Sequence, residues 1–335
     1  MRMKKSFKFI ISVLVTCVFA YLAFGRMDWG KALDALRTAN VGLIVLGLGF
    51  LAADYFIKII RWWIILRKMG VNASLMCCSR PFLVSFAFNN IFPLRAGDMA
   101  RVFGFRETIG GNAPTVLGSV FVERILDFFS LLIFFYIGLS ALPSGTLPVY
   151  FVHTAGLIAV ALLAALLFLV FMPGTVLSII NFIFGSSPLS RFSLAKKIRD
   201  AGADFIKSLK MIRDPFSTVG LLALSCLIWL LEGGLFASVA WSLGIGVEIQ
   251  AALFSMSTGT LATLLPSTPG YIGTFDYFAI LGLMAFGANR DLVGIYALLC
   301  HILLWLPVTA AGLACGLGHE CRNIIALKKE KNERI

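Results

Sequence analysis

The sequence predicts an all-α, polytopic integral membrane protein, and three observations support this fold class. Of the 335 residues, 59% are hydrophobic and 14% are charged, whereas soluble domains have about 45–50% apolar and about 25% charged residues. The mean hydropathy is +0.91. Several apolar stretches approach or exceed the roughly 20 residues that a helix needs to cross a bilayer. These observations exclude a soluble cytosolic enzyme, a secreted disulfide scaffold and a disordered chain.

The charge balance indicates how the chain is oriented in a membrane. There are 29 Lys and Arg residues against 17 Asp and Glu, a formal net charge of +12. In membrane proteins an excess of Lys and Arg marks cytoplasmic loops, so we expect no nucleic-acid partner. The seven cysteines and three histidines show no metal-ligand spacing. We therefore expect neither a metal nor another cofactor.

Six apolar stretches are predicted to cross the membrane completely. They are residues 7–24, 41–66, 115–142, 149–171, 216–243 and 291–317. The first also fits a signal peptide, because Ala23-Phe24-Gly25 resembles a cleavage site. Its length and the closely following second span favour a signal anchor.

Two further apolar segments are interrupted, and we predict that each forms a broken, re-entrant helical hairpin. The first, about 75–95, ends in Asn89-Asn90-Ile91-Phe92-Pro93, and the second, 251–286, is broken at Pro266-Ser267-Thr268-Pro269-Gly270. The pieces that flank the second break are shorter than a comfortable span.

The basic segments decide how these hairpins are placed. The basic N-terminus, the basic loop 186–214 and the basic tail 319–335 lie on one side only if each hairpin enters and leaves from the same side. The first hairpin is then cytoplasmic and the second external. This predicts a multi-pass protein of the plasma membrane with both termini in the cytoplasm.

The two halves of the chain then share one order of elements in opposite orientations. Residues 1–142 form the first repeat, residues 143–185 a span and the start of the second repeat, and residues 215–318 the rest. In many transporters such inverted repeats place the substrate between two broken helices. The alternative is coincidence, because Pro and Gly are common helix breakers.

Ionisable residues inside predicted spans are candidates for function, because a charge at membrane depth is costly. Glu123 and Asp127 lie one turn apart with Arg124 beside them. These three residues either contribute to a substrate site or form an internal ion-pair cluster.

Four more charged residues lie in other predicted spans. Asp54, Lys58 and Arg61 share one helix face, which predicts, for Arg61 above all, an interfacial stripe whose charged ends reach water. Asp54 lies deeper. Glu232 either faces a cavity or pairs with an arginine.

The first break holds the densest set of candidate site residues. They are Asn90, Pro93, Arg95, Gly97, Asp98 and Arg101. Asparagine at a helix tip can satisfy freed backbone groups, and Gly97 permits a turn that other residues resist. Arg95 and Arg101 offer planar forks for phosphate oxygens, and Asp98 is placed to orient Arg101. The alternative is a positive cytoplasmic loop with a local ion pair.

The second break offers small residues and backbone N–H groups. Its candidates are Pro266, Pro269, Gly270, Gly273 and Asp276. A helix that begins near Gly270 would direct its positive dipole end at the break, which favours an anion. Asp276 either takes part in the site or caps the helix.

Three motifs, in this order, resemble the lysylphosphatidylglycerol synthase transmembrane-region family, also called flippase-like. They are Phe92-Pro93-x-Arg95-x-Gly97-Asp98-x-x-Arg101, Glu123-Arg124-x-x-Asp127 and Pro266-x-x-Pro269-Gly270-x-x-Gly273. The resemblance covers essentially the whole chain, although Asp98 stands where the family often has Glu. It implies an integral membrane protein that moves or handles lipids between leaflets. Long members continue into a soluble aminoacyl-transferase domain. The sequence ends about 18 residues after the last predicted span, so we do not expect that domain in it.

The leading hypothesis is a lipid translocase for an anionic phospholipid or a polyprenyl-phosphate-linked lipid. The two hairpins would meet near the midplane, with arginines holding the head group, while Asp98, Glu123 and Asp127 orient these arginines or carry protons. No P-loop pattern is present, so ATP is not expected as the direct driver. The alternatives are a membrane glycosyl- or aminoacyl-transferase and a non-transporting partner of a lipid-modifying envelope enzyme. A homo-oligomer is compatible with all three.

Overall fold

The computed structural model describes residues 14–25, 27–92, 95–142, 214–264 and 269–332, together with Met172, Thr175 and Ser178. For residues 215 and 317–332 it describes the backbone alone. Every regular element within these ranges is a helix, which agrees with the predicted all-α fold class.

Eleven α-helices are described. They are α1 (Leu14–Phe24), α2 (Trp29–Thr38), α3 (Val41–Lys68), α4 (Leu75–Ile91), α5 (Ala96–Gly104), α6 (Arg106–Ile109), α7 (Ala113–Ser140), α8 (Pro215–Ser242), α9 (Ile249–Ala262), α10 (Thr274–Met284) and α11 (Arg290–Asn332). A short 3-10 turn, Pro269–Tyr271, precedes α10.

The helix boundaries follow from local sequence chemistry. At five helix starts an Asp, Asn or Ser side chain accepts a hydrogen bond from a backbone N–H of the first turn. These N-caps are Asp28, Asn40, Ser74, Asn112 and Asp214. Glycines with φ between 71° and 85° follow four helices, where the left-handed conformation is least strained. They are Gly70, Gly110, Gly244 and Gly287.

Three of the described helices are long and apolar enough to cross a membrane. They are Val41–Lys68, Phe216–Ser242 and Arg290–Gly316, and they agree with three of the six predicted spans. Helix α7 is also 28 residues long, but the charges of Glu123, Arg124 and Asp127 interrupt its apolar character.

The other two predicted spans are described in part or not at all. Within the predicted span 7–24 the structure describes the short apolar helix α1. The predicted span 149–171 lies outside the described residues, as does most of the basic loop 186–214. The total of six spans therefore stays a prediction.

Helices α3 and α8 run antiparallel along their whole length. At one end the Asn40 N–H donates to Ser242 O (2.9 Å), and at the other Lys68 Nζ donates to Ser217 Oγ (2.5 Å). Between the ends, an added Cβ on Gly47 would lie 3.4 Å from Ser238 Cβ. Two helices of equal length and opposite direction fit two spans that cross in opposite senses.

The first predicted hairpin, about 75–95, is instead one unbroken helix, α4, as far as Ile91. The break follows α4, and the second arm of this hairpin is α5, which lies beyond the predicted bounds and packs against α4. The residue with left-handed backbone is Arg95 (φ 53°), so our assignment of that turn to Gly97 was wrong. Gly97 instead permits close helix packing, because an added Cβ would lie 1.8 Å from Ser85 O. Pro93 and Leu94 lie outside the described residues.

The second hairpin packs α9 against α10 through small and hydroxyl side chains. Ser255 Oγ donates to Ala279 O (2.7 Å) and Thr258 Oγ1 to Phe278 O (3.1 Å). Close packing of this kind is common between helices in membranes. The break before α10 has left-handed backbone at Gly270, Tyr271 and Gly273, whereas residues 265–268, and with them Pro266, lie outside the description.

Each hairpin packs against the last helix of the other half. Helix α4 contacts α11, where an added Cβ on Gly312 would lie 2.3 Å from Leu83 O. Helix α9 contacts α7, where an added Cβ on Gly138 would lie 2.4 Å from Phe254 Cβ. Each hairpin therefore packs against a helix from the other half of the chain.

Two apolar clusters form the core, one for each half. The first joins α3 to α7 and includes Trp62, Phe82, Val102 and Val116. The second is built mainly from α8 to α11 and includes Leu235, Phe236, Met256 and Tyr296.

The contact between α4 and α5 can be tested with a single methyl group. We expect Gly97→Ala to destabilise the protein by about 1–3 kcal/mol, because backbone atoms of α4 occupy the space that the new methyl group needs. Gly104→Ala is the matched control in the same helix, since a Cβ there meets no atom within 4 Å. Thermal unfolding of the purified protein in detergent measures the difference. Equal melting temperatures for the two variants would contradict the close packing of the hairpin.

Candidate functional site

A cavity of about 240 Å³ lies between the two breaks. Asn90 and Arg95 line it from the first break, and Gly270 and Tyr271 from the second. Its charged and ionisable lining residues are Lys58, Arg95, Arg124, Asp127, Glu232 and His301, and its aromatic ones are Tyr55, Phe86, Phe128, Trp229, Tyr271, Phe275 and Trp305. A concave, mainly apolar site with a few convergent charges is the usual form of a ligand pocket.

The tips of the two hairpins are held together by α11. Asn90 Nδ2 donates to Thr309 Oγ1 (2.9 Å), and Trp305 Nε1 donates to Asn90 O (3.4 Å). An added Cβ on Gly270 would lie 3.3 Å from Trp305 Nε1. The Asn90 side chain thus joins the first break to α11, and Trp305 satisfies the Asn90 carbonyl and connects the two breaks. The asparagine that satisfies a freed backbone group is Asn89, whose Oδ1 accepts from the Asp98 N–H (3.2 Å) at the start of α5.

Arg95 stands apart from the other cations of the site. It precedes α5 in a left-handed conformation, and its side chain lines the cavity. Among the described residues no carboxylate lies within ion-pair distance of its guanidinium. An arginine in a strained backbone conformation is held there by its surroundings, and this one keeps its donors available.

Arg101 is fully buried away from the cavity. Its Nη1 contacts Glu123 Oε2 (2.7 Å), and its guanidinium lies against the neighbouring rings of Trp62 (4.6 Å) and Phe82 (4.8 Å). Sequence reasoning expected Arg101 to offer its fork to a phosphate. The structure instead uses that fork to join α5 to α7.

Asp98 is held most closely by Arg124. Arg124 Nη2 lies 3.0 Å and 3.1 Å from the two carboxylate oxygens of Asp98, and Asn89 Nδ2 donates to Asp98 Oδ1 (3.0 Å). The contact with Arg101 Nη2 is longer, at 3.5 Å. Asp98 therefore orients Arg124, which lines the cavity, more directly than it orients Arg101.

Arg61 is buried, and the predicted interfacial stripe is wrong for this residue. Its side chain is 1% exposed, because α7 and α8 pack over it. Arg61 Nη1 contacts Asp127 Oδ1 (2.7 Å) and donates to Ser225 Oγ (2.6 Å). Trp229 Nε1 also donates to Asp127 Oδ1 (3.2 Å).

Lys58 lies between two carboxylates on the cavity wall. Its Nζ is 2.8 Å from Asp54 Oδ2 and 3.0 Å from Glu232 Oε2, and the rings of Tyr55 (4.8 Å) and Trp229 (5.1 Å) flank it. Glu232 thus faces the cavity and pairs with a lysine, not with an arginine. The interfacial stripe is wrong for Lys58 too, because its side chain is 6% exposed.

The side chain of Asp276, in the first turn of α10, caps the N-terminus of that helix. Its Oδ2 accepts a hydrogen bond from the Gly273 N–H (2.8 Å), and its Oδ1 contacts His301 Nδ1 (2.8 Å). Asp276 is 1% exposed, so the positive end of α10 already has a carboxylate. Of the two roles that the sequence left open for Asp276, the structure has the cap.

Five of the site residues predicted from the sequence line the cavity. They are Asn90, Arg95, Arg124, Asp127 and Gly270. Others lie behind the wall or beside the breaks and support it, namely Gly97, Asp98, Arg101, Glu123, Pro269, Gly273 and Asp276. Pro93 and Pro266 lie outside the described residues.

Several wall residues were not predicted from the sequence as site residues. They are Tyr55, Lys58, Trp229, His301 and Trp305, whereas for Glu232 a cavity was one of the two predicted alternatives. His301 had a signal that could have found it, because it is an ionisable side chain inside a predicted span. The aromatic residues had none, because aromatic side chains are common in membrane helices. Within the described ranges no group of three or more His, Cys, Asp or Glu side chains could hold a metal ion.

The fold and the cavity define an all-helical membrane protein with a charged internal site. The sequence profile of the family described as lysylphosphatidylglycerol synthase TM region matches residues 9–312. The chain belongs to this family, which confirms the resemblance carried by the three motifs.

Two relatives illustrate what the chain is similar to. The UPF0104 membrane protein MJ1078 of Methanocaldococcus jannaschii is 26% identical over 251 residues, 73% of this chain and 98% of the relative. The glycosyltransferase AglD of Haloferax volcanii is 23% identical over 312 residues, 82% of this chain and 48% of AglD. The chain therefore matches about half the length of AglD.

The role of Arg101 in joining α5 to α7 leads to a stability prediction. We expect Arg101→Ala to cost about 3–5 kcal/mol, because it leaves Glu123 buried without its closest cation. Arg106→Ala is the control, since Arg106 is half-exposed and 3.9 Å from Glu107, an arrangement that contributes little. Thermal unfolding in detergent compares the two. If adding Glu123→Gln to Arg101→Ala recovers none of the loss, unpaired burial is not its cause.

Proposed function

We propose that this protein moves an anionic lipid between leaflets, with the lipid phosphate bound in the cavity between the two breaks. The observation that carries the proposal is Arg95. It lines the cavity and has no carboxylate partner among the described residues, so an incoming phosphate would provide its counter-charge. An unpaired cation at membrane depth is costly and indicates function.

Arg124 and Lys58 complete a cationic face for the phosphate. Both line the cavity, and each is already oriented by a carboxylate, Asp98 for Arg124 and Glu232 for Lys58. Such pre-orientation lowers the entropy cost of binding. The aromatic walls suit the glycerol or prenyl part next to the phosphate. Leu264, which lines the cavity and is 62% exposed, marks a side through which the lipid chains would extend into the bilayer.

The two halves are proposed to act as inverted repeats. The antiparallel pair α3 and α8, and the packing of α4 and α9 each against a helix of the other half, support a pseudo-two-fold relation around the cavity. In transporters with such repeats, rocking of one half against the other opens a central site alternately to each side. The hairpins would be re-entrant, the first from the cytoplasm and the second from outside, in a plasma-membrane protein with cytoplasmic termini.

A membrane transferase is the second candidate, because one relative is named a glycosyltransferase. Transfer to a lipid phosphate would use the same anion site but would also need a base. The cavity-lining carboxylates are Asp127 and Glu232, and each contacts a cation within 3.0 Å. This pairing favours binding over base catalysis. A supporting role beside an envelope enzyme, in which the protein binds lipid without moving it, remains the third alternative.

Arg95 provides the test of the proposed site. We expect Arg95→Ala to slow lipid movement in liposomes by about tenfold or more, because a charge-assisted hydrogen bond contributes about 1.5–3 kcal/mol. The assay follows leaflet sidedness of fluorescent phosphatidylglycerol and of a short prenyl phosphate. Arg37→Ala is the matched control, because Arg37 is exposed and pairs with the exposed Asp34.

The same experiment separates the three candidate functions. Movement of unmodified lipid supports translocation, and a chemically altered lipid supports the transferase. Lipid binding that Arg95→Ala weakens, without movement or modification, supports the non-transporting partner. Movement of both lipids at equal rates in wild type and Arg95→Ala would contradict the proposed site.

Cysteine labelling tests the proposed placement of the hairpins. In a background without the seven native cysteines, we expect Met99→Cys to react with an impermeant reagent from the cytoplasmic side. Arg290→Cys, which follows the second hairpin as Met99 follows the first break, should react from the external side. Both native side chains are exposed. Labelling of both positions from the same side would contradict the inverted arrangement.

A further inference from the structure

The buried charges of the described helices pair almost completely, and the exception is informative. Three arginines each have one nearest carboxylate at 2.7–3.0 Å. These pairs are Arg61 with Asp127, Arg101 with Glu123, and Arg124 with Asp98. Lys58 instead has two carboxylates, Asp54 and Glu232. We call Asp54, Lys58 and Glu232 the lysine triad.

Asp54 has few contacts for a buried carboxylate. It is 0% exposed, its Oδ1 has no hydrogen-bond donor among the described residues, and its Oδ2 is contacted by Lys58 (2.8 Å). Buried carboxylates normally have several donors. The triad therefore contains a buried oxygen without a partner and one carboxylate more than it has cations.

The charges of α3 as far as Arg61, of α7, of α8 and of the segment from Arg95 to Arg101 nevertheless balance. This sum leaves out Asp276, which contacts the Gly273 N–H and His301. Arg95 has no carboxylate partner, and the triad has one carboxylate more than it has cations. The ten charged residues therefore sum to zero net charge, namely Asp54, Lys58, Arg61, Arg95, Asp98, Arg101, Glu123, Arg124, Asp127 and Glu232. A bound phosphodiester adds one negative charge, which low-dielectric surroundings disfavour without compensation.

We propose that the lysine triad takes up one proton when an anionic phosphodiester lipid binds, so that lipid and proton move together. This inference rests on the proposed function. The proton comes from solvent and binds a carboxylate oxygen of Asp54 or Glu232. The ammonium of Lys58 keeps the carboxylate that stays ionised and has an N–H free for the phosphate. The new O–H bond replaces the bond that breaks in hydronium or in the buffer acid.

A proton fits the triad better than a metal cation. Lys58 Nζ lies within 3.0 Å of both carboxylates and would repel a second full charge placed between them. A sodium or calcium ion also needs about six oxygen ligands, whereas a proton needs one oxygen. Asp98, Glu123 and Asp127, which the sequence suggested as proton carriers, are each held by an arginine.

Other charged and ionisable groups surround the triad, and only those that lack a proton can compete for one. Tyr55 and Arg61 lie on α3 beside Asp54 and Lys58, and Arg124 and Asp127 line the cavity from α7. His301 lines the same cavity from α11 and contacts Asp276 of α10. His301 is the main competitor, because imidazole is the side chain that most readily gains a proton near neutral pH.

Calorimetric counting of protons tests the proposal on the full-length protein in detergent. The probe is short-chain phosphatidylglycerol, a phosphodiester with no proton of its own to exchange near neutral pH. Titrations in buffers of different ionisation enthalpy give the number of protons taken up. We expect about one proton per bound lipid for the wild type, and an apparent Kd that rises up to about tenfold per pH unit, because raising the pH favours the state with fewer protons.

Two matched variants locate the proton. Asp54→Asn leaves Lys58 paired with Glu232 alone and does not alter the cavity wall, so we expect lipid binding with almost no proton uptake. His301→Gln should keep the uptake of about one proton, since the triad is intact. If His301→Gln loses the proton and Asp54→Asn keeps it, the triad assignment is overturned.

The remaining outcomes distinguish this inference from the proposed function. If the wild type binds the probe without taking up a proton, the lysine triad inference is overturned and the anion site stands, even if Asp54→Asn fails to fold. If binding requires sodium and shows no pH dependence, a metal cation replaces the proton. If the probe does not bind at all, the proposed phosphodiester site fails, and the proton inference fails with it.

Discussion

The structure depends on one electrostatic constraint, which is that each charge buried among apolar helices needs a counter-charge close by. An isolated charge in such surroundings is far more costly than in water, and removal of one member of a buried pair is strongly destabilising. Helix α7 supplies Glu123, Arg124 and Asp127, which together contact α3 and α5. Because the partners come from different helices, charge pairing fixes how these helices sit against one another.

A related constraint, on backbone polar groups, shapes the cavity. Helices α4 and α9 end at the two breaks that line it. The backbone groups freed at these breaks must be satisfied by protein or by a polar cavity. Trp305 of α11 satisfies the Asn90 carbonyl, and Asn89 satisfies the Asp98 N–H. The space that remains is lined by charges that pairing has already oriented. Arg95 has no carboxylate partner among the described residues, Lys58 has two within 3.0 Å, and both residues line this space.

The charged residues therefore divide into two groups by their surroundings. Arg61 and Arg101 are about as buried as the apolar core, and both form ion pairs with carboxylates of α7, so they act in the fold. Arg95, Arg124 and Lys58 reach the cavity, and they act in the proposed lipid site. Residue type does not distinguish the groups, since arginines and carboxylates occur in both.

Composition and hydropathy alone determined that this is an all-helical membrane protein, because nothing but a membrane accommodates so much apolar surface. Local chemistry in the sequence also located most helix ends and both breaks, since proline, glycine and capping residues act over a few positions. The three motifs identified the family. Tertiary structure decided which charges pair and which face the cavity, because partners such as Lys58 and Glu232 are 174 residues apart. It likewise decided that Arg95 turns the chain and that Gly97 permits close packing of α5 on α4. The carbonyl oxygen of Ser85 excludes a side chain at position 97, and that oxygen comes close only when the two helices fold against each other.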